Sequence, residues 1–202
     1  MNNFEIKSDF TQFKKKFLEI NSRLNLISKN DENFLYEKHI YDSLSIDLFF
    51  KKCSINTNGI KLLDIGCGGG FPCVPIAIEH PEISVTGIDS IRKKVNAVNE
   101  IKNSLSINNL ELICDRAENI KDKKYNIITS RAVADLNKIC EYALPLLYKD
   151  GYFIAYKSKK AAEEIHNAEK TLSKYKAKIK AEIQYTLPLN ETYVRNLIII
   201  SF

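Results

Sequence analysis

Apolar positions along the 202-residue chain follow two rhythms. Over residues 8–27, Phe10, Phe13, Phe17, Ile20, Leu24 and Ile27 recur at three- and four-residue steps, which predicts one face of an amphipathic helix. Lys14, Lys15, Lys16 and Arg23 fall mostly on its other faces and read as solvated. Asn30-Asp31-Glu32 offers an N-cap and first-turn acids for a second helix, over about residues 33–52. His39 and Ser43 share a face of it. After the turn Asn56-Thr57-Asn58-Gly59 the rhythm changes. Short, continuous apolar runs now alternate with helical periods. Such runs suit strands buried on both faces.

Five of these runs lie at residues 61–65, 83–88, 110–114, 125–129 and 152–156. Between them, Pro72 and Pro75 allow only a short helix over about 74–79. Asp89-Ser90 would cap the next helix, with Ile91, Val95, Val98, Ile101 and Leu105 inward. Asp135 would cap another, with Leu136, Ile139, Ala143, Leu144 and Leu147 inward. Asp150-Gly151 would turn the chain into the fifth strand. A lysine-rich helix follows over about 158–174, then strands near 181–187 and 194–201. Leu197-Ile198-Ile199-Ile200 is apolar throughout, so that strand should be internal. The fold class is therefore α/β: a Rossmann-like, doubly wound, mostly parallel seven-stranded sheet, its closing hairpin adding an antiparallel strand. Residues 1–202 are expected to form one domain, of which 1–58 is an N-terminal helical cap.

Ligands of such sheets bind beyond the carboxyl ends of the strands. Four segments would converge there: residues 64–71, Asp89-Ser90, residues 115–118, and Ser130-Arg131, with Lys157 on the same rim. The first is the most informative. Asp64 ends a strand and is followed by Gly66, Gly68 and Gly70, which leave room for backbone amides to approach a ligand. Asp89 ends the next strand about 20 residues on, where an acid meets ribose hydroxyls. A dinucleotide fingerprint would want its third glycine where Phe71 stands. The compressed loop suits a nucleoside with a small charged tail. In this it is similar to the class I S-adenosylmethionine (SAM) methyltransferases, which implies SAM as cofactor and S-adenosylhomocysteine (SAH) as product.

Composition narrows the rest. The hydrophobic fraction is 45%, ordinary for a globular chain, and the net charge is +5, compatible with a polyanionic partner. No apolar run approaches bilayer length and no signal-peptide core is visible, so no membrane partner is expected. Five scattered cysteines read as reduced thiols of a cytoplasmic protein, and three separated histidines give no metal site.

One family matches more closely. Lys38-His39-Ile40-Tyr41-Asp42-Ser43-Leu44, Asp64 to Pro72, Asp89-Ser90, Ala117-Glu118, Ser130-Arg131-Ala132-Val133-Ala134-Asp135-Leu136 and Lys157 resemble the RsmG family, also called glucose-inhibited division protein B. The resemblance covers nearly the whole chain. It implies SAM-dependent methylation of a guanine N7 in 16S rRNA of the bacterial small subunit. It carries SAM contacts over to Gly66, Phe71, Ala117, Glu118 and Arg131. The family usually has glycine after Pro72, where this chain has Cys73.

Guanine N7 has an in-plane lone pair and no proton, so its methylation needs no general base. Alignment and electrostatics should carry the catalysis, with Arg131 in that role. Arg131 could contact guanine or phosphate, or pair with Glu118 or Asp115. His39, Ser130, Arg131 and Lys157 are the expected RNA contacts, and lysines as far as Lys180 could grip its backbone. Glu118 would face the adenine or ribose of SAM. Asp64 would hold the methionine end through water or cap the glycine turn. Cys73 reads as packing rather than a nucleophile. Two other functions stay open: methylation of a small metabolite, and RNA binding without catalysis. The chain is expected to act as a monomer.

Overall fold

A computed structural model describes residues 4–121, 123–158, 161–189 and 193–202. Seven strands form one sheet: β1 Lys61–Ile65, β2 Ser84–Asp89, β3 Leu110–Cys114, β4 Tyr125–Arg131, β5 Leu147–Lys157, β6 Lys178–Leu187 and β7 Tyr193–Ser201. Their order is β3-β2-β1-β4-β5-β7-β6. The first five run parallel, whereas β7 is antiparallel to both β5 and β6. The order reverses between β1 and β4, so the glycine turn after β1 and the Arg131 end of β4 sit side by side at the switch point. As expected, β7 is internal, and Leu197 to Ile200 are fully buried.

The helices are α1 Thr11–Leu24, α2 Lys29–Glu32, α3 Asp42–Leu44, α4 Ile46–Lys52, α5 Cys73–Glu79, α6 Arg92–Ser104, α7 Leu136–Ala143 and α8 Ala161–Lys174. Two cores sandwich the sheet. One joins the N-terminal helices, α5 and α6 to one face; the other joins α7 and α8 to the opposite face. No helix among the described residues is long and apolar enough to cross a membrane.

The predicted second helix is not continuous. Ser28, not Asn30, caps α2, its hydroxyl accepting from the Asp31 amide. Residues Tyr36–Tyr41 then form a π-turn before α3 and α4. A π-turn inserts a residue into the helical ladder and rotates the next turn by about 100°. Local periodicity cannot reveal that rotation, which burial of Asp42 and Ser43 selects.

Other boundaries move for local reasons. Ile91, expected inside, is 40% exposed, because Ser90 and Ile91 form a linker before α6 begins at Arg92. Asp135 does stand before α7, yet its side chain makes no cap bond; the Glu164 carboxylate accepts from the Leu136 amide instead. β5 starts at Leu147, before the expected Asp150-Gly151 turn, and its pairing with β4 skips from Leu147 to Tyr152. Lys159 and Lys160, in the predicted lysine-rich helix, lie outside the described residues.

Candidate active site

A cavity of about 1120 Å³ opens at the carboxyl ends of β1, β2, β3, β4 and β5. Its floor is the loop after β1. Gly66 has φ +74°, and a Cβ there would run into the Val133 side chain. Gly70 has φ +94°, and a Cβ would lie 2.7 Å from Val74 and 3.2 Å from Val98, so α5 and α6 can close on it only without one. The turn is pinned to the neighbouring strand. Asp89 accepts from the Gly68 amide at 2.9 Å through one oxygen and from the Ile91 amide at 2.8 Å through the other. The second acid therefore shapes the loop as well as facing the cavity.

Asp64 is not at that surface. It is fully buried beneath the loop, accepting from the Thr129 hydroxyl at 3.0 Å and the Cys73 amide at 3.3 Å. Burial pushes its pKa up to about 7. Its bond to the Cys73 amide holds the start of α5, and neither of its partners lies in the glycine turn itself. Gly70 and Ser130 are likewise buried and do not line the cavity. Their part is to place neighbours: Gly70 lets α5 approach, and Ser130 sits in the β1–β4 pairing. Cys73 is buried too, away from the cavity, with its thiol pKa raised by burial, which suits packing.

Gly66, Gly68, Phe71, Asp89, Ser90, Ala117 and Glu118 line one side. His39, Arg131 and Lys157 line the other. Arg131 pairs with neither Glu118 nor Asp115. Its Nη1 donates to Asp42 at 2.9 Å and to the Lys38 carbonyl at 3.2 Å, and its Nη2 donates to His39 Nδ1 at 3.1 Å. Its guanidinium lies 5.3 Å from the Phe71 ring centre. Phe71 is in turn packed against Phe13, Phe17 and His39, at 5.8, 5.1 and 5.0 Å between centres. The N-terminal helices are thus part of the wall.

Burial, and then the Arg131 charge, depress the His39 pKa to about 4. Because a guanidinium only donates, His39 Nδ1 is the acceptor and the neutral ring carries its proton on Nε2. Among the described residues, that Nε2 is the one buried side-chain nitrogen or oxygen without a hydrogen-bond partner. Lys157 donates to the Ala134 carbonyl at 2.9 Å and pairs with Glu164 at 2.5 Å, so its ammonium already has partners.

Sequence alone assigns Asp42 no role, although it stands three residues after His39. It is buried, and besides Arg131 it accepts from the Tyr185 hydroxyl at 2.6 Å. The spacing that puts Asp42 on the face of His39 is the signal available. Tyr185, 143 residues away, gives none. Val133, 43% exposed above Gly66, also cannot be placed from sequence.

Comparison with known proteins agrees with this geometry. Residues 6–187 match the profile of the GidB family, described as rRNA small subunit methyltransferase G. The chain is 39% identical over 196 residues to a ribosomal RNA small subunit methyltransferase G from Thermoanaerobacter sp. (strain X514), covering 95% of this chain and 80% of that protein. It is 35% identical over 199 residues to one from Lactobacillus helveticus, covering 96% and 82%. In fold it is similar to M. jannaschii TYW2 in complex with AdoMet, with a TM-score of 0.57, 16% identity, and coverage of 72% of this chain and 68% of that one. The fold is that of the class I methyltransferases.

Proposed function

The chain belongs to the rRNA small subunit methyltransferase G family, and from that premise we propose that it methylates N7 of a guanine in bacterial 16S rRNA, using SAM. It would act as a monomer in the cytoplasm, where its ribosomal substrate is made. The observation that carries the reading is a single cavity shared by the glycine turn and the Arg131 rim.

The residues present fit the cofactor. Gly66 and Gly68 present backbone with no side chain of their own, Asp89 stands at the end of β2 for a ribose, and Ala117-Glu118 closes the far edge for an adenine. SAM supplies an activated methyl group on a sulfonium. Arg131 is the aligning residue: Phe71 supports its guanidinium, and Nε and the remaining Nη2 hydrogen are left for guanine or phosphate. No residue needs to take a proton, since N7 has none. The cavity's own groups agree with that. The Lys157 ammonium is paired, His39 already accepts through Nδ1, and Asp64 lies beneath the floor. Of the expected RNA contacts, Arg131 holds this reading; Ser130 is buried, Lys157 is engaged, and His39 has one ring nitrogen bonded to Arg131 and the other buried.

The test is methyl transfer from labelled SAM to small subunits from a strain lacking this gene. The label should enter 16S rRNA and make the chain cleavable by borohydride and aniline, which report N7-methylguanosine. Incorporation only into a small molecule would overturn the reading.

A further inference from the structure

The cavity's walls contain several cations, yet three of them are each bonded to a carboxylate that also lines it. Arg131 pairs with Asp42 at 2.9 Å, Lys38 with Asp31 at 2.8 Å, and Lys157 with Glu164 at 2.5 Å. The Arg131–Asp42 pair is the most enclosed: the two side chains are 16% and 6% exposed. Asp42 is fixed from behind by the Tyr185 hydroxyl at 2.6 Å, with Arg195 Nε 4.0 Å away. His39, on the other flank of Arg131, is neutral at physiological pH and adds no charge.

We propose that Asp42 is the charge-compensating and positioning residue of this site: it aims Arg131 and cancels its charge, so that the cavity accepts a sulfonium. The inference rests on the SAM reading above. SAM carries one net positive charge, from its sulfonium and ammonium against one carboxylate. SAH carries none. A lone guanidinium in a half-enclosed cavity would repel the donor and spare the product, leaving the site filled by SAH. With Asp42 in place the Arg131 charge is balanced by a carboxylate 2.9 Å away and that bias is reduced. Asp42 does not touch the reacting atoms. It acts through Arg131, whose two Nη1 hydrogens it shares with the Lys38 carbonyl, and so decides which guanidinium edge meets the substrate.

The readout is the ratio of the dissociation constants of SAM and SAH, by calorimetry on the full chain. A purely structural residue would weaken both ligands together and leave the ratio unchanged. Asp42→Asn should shift the ratio toward SAH by roughly five- to tenfold, the effect of one uncompensated charge across a partly hydrated cavity. Arg131→Gln should shift it toward SAM, and the double variant should restore it. Direct contacts of Arg131 with the shared carboxylate cancel in the ratio. An unchanged ratio, or a shift of either single variant in the other direction, overturns the proposal. If Asp42→Asn does not fold, Arg131→Gln decides alone by the same criterion. If the wild-type chain binds neither SAM nor SAH, the cofactor reading fails first and this inference falls with it.

Discussion

The two sides of the cavity are built by opposite means. The β1–β2 side comes mostly from one contiguous stretch, Leu62 to Ile91, with Ala117-Glu118 at its edge, and works mainly through backbone: glycines at positive φ and amides held by Asp89. The β4 side converges from the N-terminal helices, β4, β5, β6 and β7, and works through side chains: Arg131, Asp42, His39 and Tyr185. Local geometry makes the first; packing makes the second. They should therefore fail differently. Damage to the glycine side should remove ligand binding while the fold survives. Damage to the Arg131 side should be felt in stability.

The largest effect is expected on the glycine side. Gly66→Ala adds a Cβ at φ +74° and against Val133, which combines backbone strain with a clash. SAM affinity should fall by on the order of 100-fold, or about 2.7 kcal/mol, while circular dichroism stays native. Retained affinity would show that the turn does not need this conformation to hold its ligand.

Next is the network behind Arg131. Tyr185→Phe leaves the buried Asp42 oxygen without its 2.6 Å donor. Stability should drop by about 1–3 kcal/mol, read as a lower urea midpoint at constant slope. A neutral outcome would mean that Asp42 is adequately satisfied by its arginine.

The pH response separates the two sides by sign. The folded pKa of His39 is about 4, below its ordinary value of 6.5, so the unfolded chain takes up that proton first. His39 therefore contributes stability that is present above pH 6.5 and is lost as pH falls toward 4. Asp64 runs the other way. Its folded pKa is about 7, above the ordinary 3.8, so its contribution is full below pH 3.8 and is lost as pH rises to 7. Stability curves of His39→Gln and Asp64→Asn, each subtracted from wild type between about pH 4 and 7, should slope in opposite directions. Parallel slopes would contradict the comparison.

The smallest effect is expected at Lys157, because its ammonium is already held by Glu164 and the Ala134 carbonyl. Lys157→Gln should leave the salt dependence of RNA affinity unchanged. A lysine that neutralises a phosphate would lower the slope by about 1 when removed.

Legibility in the sequence follows the same division. Strands β1 to β4 match their apolar runs because buried parallel strands write themselves as continuous apolar sequence. Asp64 reads from sequence as a ligand contact or a cap for the turn, and its neighbours in the chain give no sign that Thr129 on the adjacent strand donates to it below the loop. The break in the second predicted helix is hidden because a π-turn changes phase without a proline or glycine to mark it.

What the sequence determined by itself was the alternation of elements, the glycine turn and the two acids near the ends of β1 and β2, because each is dictated by residues within a few positions of one another. Only the tertiary structure decided that Asp42, rather than Glu118 or Asp115, partners Arg131, that His39 is held neutral beside it, and that Tyr185 completes the set. Those contacts span 89, 92 and 143 positions. They exist because a buried charge must find an opposite one among whatever the sheet brings near, and that is settled by packing, not by neighbours in the chain.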